Sequence, residues 1–330
     1  MASRRTHAVR FHRPGGPEVL TWTEVEVGSP GPGEVVVRHA AVGLNFVDTY
    51  FRSGLYPTRL PSGLGSEAAG VVEEIGDGVD HVSVGDRVAY ATGVLGAYAE
   101  VVVVPADHLV VVPAEVDDPT AAAIVLKGLT VQYLVRQTHE VGPGTVLLGH
   151  AAAGGVGLIL GQWAKALGAT VIGTASTPDK RELALANGYD HVIPYRDDGV
   201  DVAAAVRDLT DGRGVDVVYD GVGADTFEAS LDSLRPRGLL VTYGNASGPV
   251  PPFAPALLAT KGSLYVTRPT LGTYADAPAS LRAMAGDLFS VVSSGAVSVT
   301  IGQTFPLADA ARAHAALEAG RTTGSTVLLP

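Results

Sequence analysis

The sequence predicts an α/β protein in which a doubly wound parallel sheet of six strands follows a β-rich segment. Three observations predict this class. Short β-branched runs separated by turn residues fill the chain to about residue 118, strands and helices alternate from Gly144 onward, and a glycine-rich turn lies early in that alternation. The 330 residues exceed what one hydrophobic core usually organises, so we expect two domains.

The first part of the chain has the pattern of an antiparallel or barrel-like β domain. Runs such as EVVVR at 34–38 are short and β-branched, and turns such as the one at 76–78 separate them. Asp118 and Pro119 then provide an acceptor and a proline where a helix can begin. The apolar spacing of residues 120–135 continues that helix.

From residue 144 onward, predicted strands are separated by predicted helices. Parallel strands joined by right-handed crossovers produce this alternation, and six of them form a doubly wound sheet. The predicted strands cover 145–149, 170–174, 191–195, 215–220, 239–244 and 263–267, and the predicted helices cover 155–167, the stretch from Thr177, 200–210, 225–234 and about 255–260. An alanine-rich helix at 307–319 and a strand at 325–330 end the chain.

Composition excludes several classes of function. The net charge of −11 argues against nucleic-acid binding and against an anionic membrane surface. The absence of cysteine excludes disulfides, a thiolate nucleophile and cysteine-based zinc sites. The amino terminus lacks the apolar stretch of a signal peptide, so we expect a cytoplasmic location. Residues 144–164 carry no formal charge, but glycines in their middle favour strand, turn and helix over a membrane span.

The stretch HAAAGGVG at 150–157 resembles the G-x-G-x-x-G fingerprint with Ala152 in the first glycine position. We expect alanine to be tolerated there if its φ stays negative, whereas the approach of a pyrophosphate at Gly154 requires glycine more strictly. The helix that follows offers free N–H groups and its positive dipole end to an anion. The predicted phosphate-binding residues are Ala153, Gly154, Gly155, Val156 and Gly157. The alternative is a tightly packed turn without a ligand.

The end of the second predicted strand favours NADPH over NADH. NAD enzymes place a carboxylate there for the ribose 2′-hydroxyl, but this chain has Ser176 at the strand end and Lys180 one turn further on. A serine hydroxyl and an ammonium group suit a 2′-phosphate. The sequence leaves two alternatives to this assignment. Lys180 can be an ordinary solvated lysine, and the negative charge of Asp179 disfavours a bound 2′-phosphate unless Asp179 stabilises its own helix.

Six segments resemble, in the same order, those of bacterial NADPH:quinone oxidoreductases, the zeta-crystallin-like branch of the medium-chain dehydrogenase/reductase superfamily. They are NFVDTYFRSGLYP (45–57), LPSGLGSEAAG (60–70), LKGLTVQYL (126–134), AAGGVGLILGQWAK (152–165), VVYDGVG (217–223) and KGSLYVTRP (261–269). The resemblance implies a GroES-like β-rich catalytic domain at 1–125, a Rossmann NADPH-binding domain at 126–267, and a return to the catalytic domain at 268–330. It also implies a homodimer.

Two substitutions distinguish the chain from the zinc enzymes of that superfamily. Asn45 resembles the position of the cysteine ligand, and Ser66 resembles that of the histidine in the G-H-E motif. Without thiolate or imidazole at these positions a tetrahedral zinc site cannot form, so we expect no metal. We therefore expect a substrate that accepts hydride readily, a quinone or a conjugated enone.

The resemblance also implies roles for further residues. Tyr50 and Asn45 are the predicted catalytic residues, offering hydrogen bonds to a substrate oxygen. The other implied contacts are Asp48 at the nicotinamide end of the substrate cleft, Thr130 behind the nicotinamide ring, Tyr195 at the adenine or a phosphate, Gly244 and Asn245 at the end of the fifth strand, and Arg321 reaching the cofactor. For Tyr195, an ordinary tyrosine at a strand end is the alternative. We expect His150 to be a plain polar loop residue, with a catalytic role as the alternative.

These expectations favour a zinc-independent oxidoreductase that transfers reducing equivalents from NADPH to quinones. An NADPH-dependent alkenal or enone reductase, acting on a C=C bond, is the alternative with the same fold and cofactor. A non-enzymatic RNA-binding or crystallin-like role is a third hypothesis, which the acidic composition disfavours.

Overall fold

The computed structural model describes residues 4–91, 95–195 and 199–330. Strands are numbered in chain order. They are β1 (Arg4–Phe11), β2 (Thr21–Val27), β3 (Glu34–Leu44), β4 (Ser62–Gly63), β5 (Glu67–Ile75), β6 (Arg87–Tyr90), β7 (Val101–Pro105), β8 (Val110–Val111), β9 (Val146–Gly149), β10 (Thr170–Ala175), β11 (His191–Pro194), β12 (Val215–Asp220), β13 (Leu234–Thr242), β14 (Tyr265–Thr267), β15 (Ile301–Pro306) and β16 (Ser325–Leu329).

The α-helices are numbered in the same way. They are α1 (Phe46–Ser53), α2 (Asp118–Tyr133), α3 (Gly155–Ala166), α4 (Pro178–Leu185), α5 (Val202–Leu209), α6 (Phe227–Ser233), α7 (Ala256–Thr260), α8 (Leu271–Tyr274), α9 (Pro278–Ser293) and α10 (Ala310–Glu318). Side chains of Thr177 and Asp201 cap α4 and α5 by accepting backbone N–H groups of the first turn. None of the helices in the described ranges combines the length and the hydropathy that crossing a bilayer requires.

The chain divides into two compact units. The β-rich unit comprises the described residues of 1–129, 274–293 and 299–330, and the parallel-sheet unit comprises those of 130–273 and 294–298. Each unit is described by itself below. The predicted domain limits at 125/126 and 267/268 stay a prediction.

The β-rich unit is organised around the long strand β3. This strand pairs antiparallel with β5, β7 and β16, and within the described residues its sheet has the order β15-β16-β3-β5-β6-β8. A second sheet has the order β2-β1-β4. Fully buried side chains from both sheets and from the segments between their strands, among them Phe11, Leu64 and Tyr98, share one core. The β-rich character expected for the first part of the chain is confirmed.

The parallel-sheet unit confirms the predicted doubly wound sheet. In the described part of the chain, six strands pair in parallel in the order β11-β10-β9-β12-β13-β14. All six residues of β12 are buried, as expected for a central strand covered on both faces. The chain runs outward from β9 in one direction and from β12 in the other, so the strand order reverses between them. Ligands of such sheets bind outside the carboxyl ends of the strands at this reversal.

His39 on β3 makes the stability of the protein sensitive to acid. Its ring is buried, with Nδ1 2.6 Å from the Ala99 carbonyl oxygen and Nε2 2.9 Å from the Tyr90 hydroxyl. Because a carbonyl only accepts, Nδ1 carries the proton and Nε2 accepts from Tyr90. Burial lowers the pKa of His39 from 6.5 to about 4. Between these values the unfolded chain binds a proton at this site that the native state does not, so stability falls as the pH falls from 6.5 towards 4.

Replacing His39 by glutamine should remove this contribution. We expect the free energy of unfolding of His39→Gln to depend less on pH than that of the wild type, by up to about 1.4 kcal/mol per pH unit between pH 6.5 and 4. Urea unfolding at several pH values measures the difference. His12→Gln, which removes an exposed histidine, is the matched control. Parallel curves for His39→Gln and the wild type would contradict the assignment.

Candidate active site

The glycine turn connects β9 to α3 at the reversal of strand order. The N–H of Gly154 donates to the Ala151 carbonyl at 2.9 Å, and Ala151 takes the positive φ of 55°. The N–H of Ala152 donates to the Thr174 carbonyl at 2.9 Å, at the end of the neighbouring strand β10. The left-handed residue is therefore Ala151, and Ala152 fulfils the condition that its φ stays negative.

A glycine on the neighbouring strand explains why alanine fits at position 152. Ala152 is fully buried, and a β-carbon at Gly173 would lie 2.8 Å from the Ala152 methyl group and 2.6 Å from the Tyr189 ring. Gly173 has no β-carbon, so the methyl group and the ring occupy that space. Gly173 on β10 thus provides the space that an alanine in the first fingerprint position needs.

The other two fingerprint glycines have different tasks. A β-carbon at Gly157 would lie 2.6 Å from the Ala152 carbonyl oxygen and closer still to that of Ala151, so Gly157 is required by packing of the turn. Gly154 has the extended values φ −81° and ψ 172°, and a β-carbon there would meet only the Ala151 oxygen, at 3.2 Å. Neither conformation nor internal packing strictly requires glycine at 154. The space beside it fits a ligand that approaches the backbone closely.

The start of α3 is suited to an anion. Gly154 is the N-cap and has no side chain to bond the N–H groups of the first turn. Residues 154–156 are half-buried, so these donors remain accessible. Together with the helix dipole they fit a pyrophosphate.

Tyr189 supports this first helical turn from inside the protein. Its hydroxyl donates to the Gly157 carbonyl at 2.9 Å, and its ring lies against Gly161 and Gly173. Burial raises the pKa of Tyr189, so the hydroxyl remains protonated. The sequence analysis did not identify this residue. The only available signal was the set of glycines that make room for the ring, and these are far apart in the sequence.

A buried polar network fixes the strand ends beneath the turn. Asp220 accepts from the Ser230 hydroxyl at 2.9 Å, and His150 lies 3.0 Å from both the Ser230 and the Thr174 hydroxyl. Because Ser230 donates to Asp220, it accepts from Nε2 of His150, and Nδ1 then accepts from Thr174. Burial lowers the pKa of His150 and keeps the ring neutral. His150 is thus a buried connector of three strand ends rather than a plain loop residue.

The predicted cofactor residues of the second and third strands lie at the same edge of the sheet. Ser176 follows β10, and Tyr195 follows β11 and donates its N–H to the Ala175 carbonyl at 2.9 Å. Lys180 lies in the first turn of α4, where its N–H donates to the Thr177 hydroxyl at 3.3 Å. The side chains of Ser176, Tyr195 and Lys180 are half-buried. The structure thus places these three residues, with the glycine turn, at the carboxyl edge of one parallel sheet.

Gly244 and Asn245 extend this edge on the other side of the reversal, after β13. With the amide oriented to satisfy its neighbours, Asn245 donates to the Gly244 carbonyl at 2.9 Å and accepts from Arg268 at 3.1 Å. Arg268 follows β14 and also donates to the Gly244 carbonyl at 3.3 Å. Sequence reasoning missed Arg268, although it lies within one of the family-like segments. It holds the backbone at 244 and 245 in place.

A second cluster of predicted residues lies in the β-rich unit, at the start of α1. The Asn45 side chain donates to Glu67 at 2.8 Å, and Glu67 also accepts from Lys127 at 2.8 Å and from the Leu126 N–H at 2.7 Å. Glu67 is completely buried and Lys127 nearly so. The carboxylate is therefore balanced by one cation and two further donors.

Asp48 belongs to the same cluster and is also completely buried. It accepts from the Asn45 N–H at 2.9 Å, from the Tyr98 hydroxyl at 2.9 Å and from the Ser66 hydroxyl at 3.2 Å. Desolvation raises the pKa of Asp48 to about 7, although the three donors and the Lys127 charge act in the opposite direction.

The donors in this cluster do not fit zinc. Asn45 directs its amide nitrogen to Glu67, and Ser66 directs its hydroxyl to Asp48. Among the residues that the structure describes, no three His, Cys, Asp or Glu side chains are grouped so that they could hold a metal ion. An amide nitrogen and a neutral hydroxyl are poor replacements for imidazole and thiolate.

Three predicted residues are placed separately. Tyr50 is buried in α1, with its ring 5.2 Å from that of Tyr56. Thr130 is buried in α2. Arg321 is exposed just after α10 in the β-rich unit. Their roles, and those of the other predicted site residues, stay predictions.

Comparison with known proteins agrees with this architecture. Residues 31–114 match the family model for the alcohol dehydrogenase GroES-like domain, and residues 155–286 match that for zinc-binding dehydrogenases. A quinone oxidoreductase of Pseudomonas aeruginosa is 57% identical over 323 residues, covering 98% of this chain and 99% of the relative. A 2-haloacrylate reductase of a Burkholderia species is 47% identical over 330 residues, covering 98% of each chain. The crystal structure of Escherichia coli quinone oxidoreductase in complex with NADPH has a TM-score of 0.96 at 49% identity, covering 100% of both chains.

A GroES-like β unit together with a glycine turn on a doubly wound parallel sheet defines a medium-chain dehydrogenase/reductase. This makes the chain an oxidoreductase. Within that superfamily, the chain belongs to the quinone oxidoreductase family, and the resemblance inferred from sequence segments is confirmed.

Proposed function

We propose that this protein reduces quinones with NADPH and without zinc. The observation that carries the proposal is the open space beside Gly154. Neither packing nor backbone conformation strictly requires glycine at this position, and the start of α3 offers free N–H donors. The NADPH-bound relative from Escherichia coli and the quinone oxidoreductase from Pseudomonas aeruginosa support it.

In this proposal, different residues bind different parts of the cofactor. Residues 153–157 hold the pyrophosphate, Ser176 and Lys180 hold the 2′-phosphate, and Tyr195 contacts the adenine or a phosphate. The remaining cofactor contacts implied by the family resemblance are those of Gly244, Asn245, Thr130 and Arg321. Bound NADPH supplies a hydride, which no side chain of this protein can supply.

The acceptor oxygen is bound by Asn45 and Tyr50, the two residues for which we propose hydrogen bonds to substrate. Reduction of an activated C=C bond is the second candidate, because the haloacrylate reductase from Burkholderia is 47% identical over almost the whole chain. A panel of benzoquinones, naphthoquinones, enones and haloacrylates, each assayed with NADPH and NADH, distinguishes the two. Activity confined to the C=C acceptors would replace the first proposal by the second. Activity that requires added zinc would contradict both.

Lys180 should determine the preference for the phosphorylated cofactor. We expect Lys180→Ala to raise the Kd for NADPH about 10- to 100-fold, because a charge-assisted hydrogen bond contributes about 1.5–3 kcal/mol, and to leave the Kd for NADH unchanged. Fluorescence titration with both cofactors measures this. Lys165→Ala, which removes a lysine near the end of α3, is the matched control. Unchanged binding of NADPH would mean that Lys180 is only a solvated lysine.

We further propose that the protein acts as a cytoplasmic homodimer. In the described part of the chain β14 is an edge strand, which offers backbone N–H and C=O groups to a second copy, and its Tyr265 is 62% exposed. Sedimentation equilibrium of the wild type and of Tyr265→Lys tests the dimer. A wild-type monomer at micromolar concentration would contradict it.

A further inference from the structure

A chain of buried hydrogen bonds in the β-rich unit ends at Asp48 and Ser66. Arg52 lies 3.0 Å from Nδ1 of His314, Nε2 of His314 lies 3.1 Å from the Tyr98 hydroxyl, and that hydroxyl lies 2.9 Å from Oδ2 of Asp48. Oδ1 of Asp48 lies 3.2 Å from the Ser66 hydroxyl. Arg52, His314, Tyr98 and Asp48 are buried, whereas Ser66 is half-buried.

The direction of every bond from Arg52 to Asp48 is fixed, whereas Ser66 donates to Oδ1 of the ionised Asp48 and accepts from Oδ1 when Asp48 is protonated. A guanidinium group only donates, so Nδ1 of His314 accepts and Nε2 carries the proton. Tyr98 accepts from Nε2 and gives its single proton to Oδ2 of Asp48. The Asn45 N–H also donates to Oδ2, at 2.9 Å. A proton on Asp48 therefore has room only on Oδ1, the oxygen that faces Ser66.

Asp48 is the member of this chain that changes charge near neutrality. The groups that face it are Asn45, Ser66 and Tyr98 through hydrogen bonds and Lys127 through its charge, and desolvation outweighs them and raises the pKa of Asp48 to about 7. Burial lowers the pKa of His314 to about 3, so its ring stays neutral. Burial and the Asp48 carboxylate raise the pKa of Tyr98 well above 10, so it remains a donor.

We propose that Ser66 protonates the reduced acceptor and that Asp48 restores the Ser66 proton. This inference rests on the proposed function and deepens it. An acceptor that has gained a hydride from NADPH carries one negative charge on oxygen and needs one proton. The O–H bond of Ser66 breaks as that oxygen is protonated, the Oδ1 proton of Asp48 moves to the Ser66 oxygen, and Asp48 is left as a carboxylate. A proton from solvent returns through Ser66 after product release, so the cycle consumes one proton for each hydride.

Ser66 is thus the catalytic residue of the relay, and Asp48 acts through it. Ser66 lies at the position that resembles the histidine of the G-H-E motif in the related zinc enzymes, and in this proposal it provides, with Asp48, an acid in place of a metal. Tyr98, His314 and Arg52 are positioning residues, because they direct the Asp48 proton to Oδ1.

The first test needs neither cofactor nor acceptor. Infrared difference spectra of the apoprotein across the pH range should show a buried protonated carboxylic acid that disappears with a midpoint near pH 7. The signal should be absent from Asp48→Asn, and Ser66→Ala should shift its frequency, because the hydroxyl bonded to Oδ1 is lost. A carboxylate at position 48 that stays ionised at pH 6 would overturn the proposal.

The second test uses turnover. General acid catalysis typically contributes about 10²- to 10⁴-fold, so Ser66→Ala should lower kcat by at least about 100-fold with an unchanged Kd for NADPH. Ser66→Thr, which keeps the hydroxyl, should restore most of the activity, and Asp48→Asn should abolish the fall of kcat above pH 7. Ser83→Ala, which alters an exposed serine, is the control.

The outcomes separate the relay from the proposed function. A wild type that is active on quinones while Ser66→Ala keeps its kcat would overturn only the relay. A wild type that is inactive with every quinone and every C=C acceptor would overturn the proposed function and the relay with it.

Discussion

Gly154→Ala is expected to weaken NADPH binding at least about 100-fold, about 2.7 kcal/mol, while the protein remains folded. The added methyl group meets only the Ala151 oxygen, at 3.2 Å, and the backbone at 154 is already extended, so the fold needs only a small adjustment. On its open side the methyl group occupies the space through which a phosphate must approach the backbone. Fluorescence titration with NADPH and the thermal unfolding midpoint measure the two effects separately.

Two other glycine substitutions serve as references for this result. At Gly157 the methyl group would collide with the backbone of the turn, 2.6 Å from the Ala152 oxygen, so Gly157→Ala should lose stability and binding together. At Gly142 no atom lies within 4 Å of a β-carbon, so Gly142→Ala should change neither. If Gly154→Ala bound NADPH as tightly as Gly142→Ala does, the turn would not be the phosphate site.

The parts of the fold that the sequence predicted are those with local signals. The alternation of short apolar strands with helices is visible along the second half, and it predicted five strands of the parallel sheet to within two residues. The exception is β13, which begins at Leu234, five residues before its predicted start. The ends of the helices were predicted less exactly than the strands. The helix predicted at 225–234 begins at Phe227, and the one predicted at 307–319 is α-helical only from Ala310, because a 3₁₀ turn precedes it.

The parts of the site that the sequence did not predict depend on residues far apart in the chain. The explanation for Ala152 lies in Gly173 and Tyr189, and no rule of the fingerprint refers to them. His150 finds its partners on other strands and helices, at Thr174 and Ser230. Such contacts follow from strand order and register, which a single sequence does not specify.

The cluster around α1 also depends on contacts between residues far apart in the chain, which the sequence did not predict. The family resemblance implies that Asn45 and Asp48 line the substrate cleft, and in the fold their side chains bond to Glu67, Ser66 and Tyr98. The resemblance could mark these positions as unusual, because cysteine and histidine are missing there. It could not show that a directed chain of hydrogen bonds orders the donors around Asp48.

Lys127→Met is expected to lower the free energy of unfolding by about 3–5 kcal/mol, because it leaves the Glu67 carboxylate buried without its cation. Glu67 has no exposed surface, and Lys127 Nζ is 2.8 Å from its Oε2. Urea unfolding measures the loss. Lys165→Met, which removes the cation of a partly exposed surface pair, should cost about 0–1 kcal/mol and is the matched control.

A double variant distinguishes the buried charge from lost packing. Replacing Glu67 by glutamine in the Lys127→Met background removes the charge and keeps one oxygen. Because the Leu126 N–H and the Asn45 amide bond different carboxylate oxygens, this oxygen can accept from one of the two donors. If the unpaired carboxylate causes the loss, Glu67→Gln should recover a large part of the stability in that background, although it destabilises the protein on its own. Additive losses would instead assign the effect to packing of the lysine stem. In that case the Glu67 charge would already be balanced by its two neutral donors.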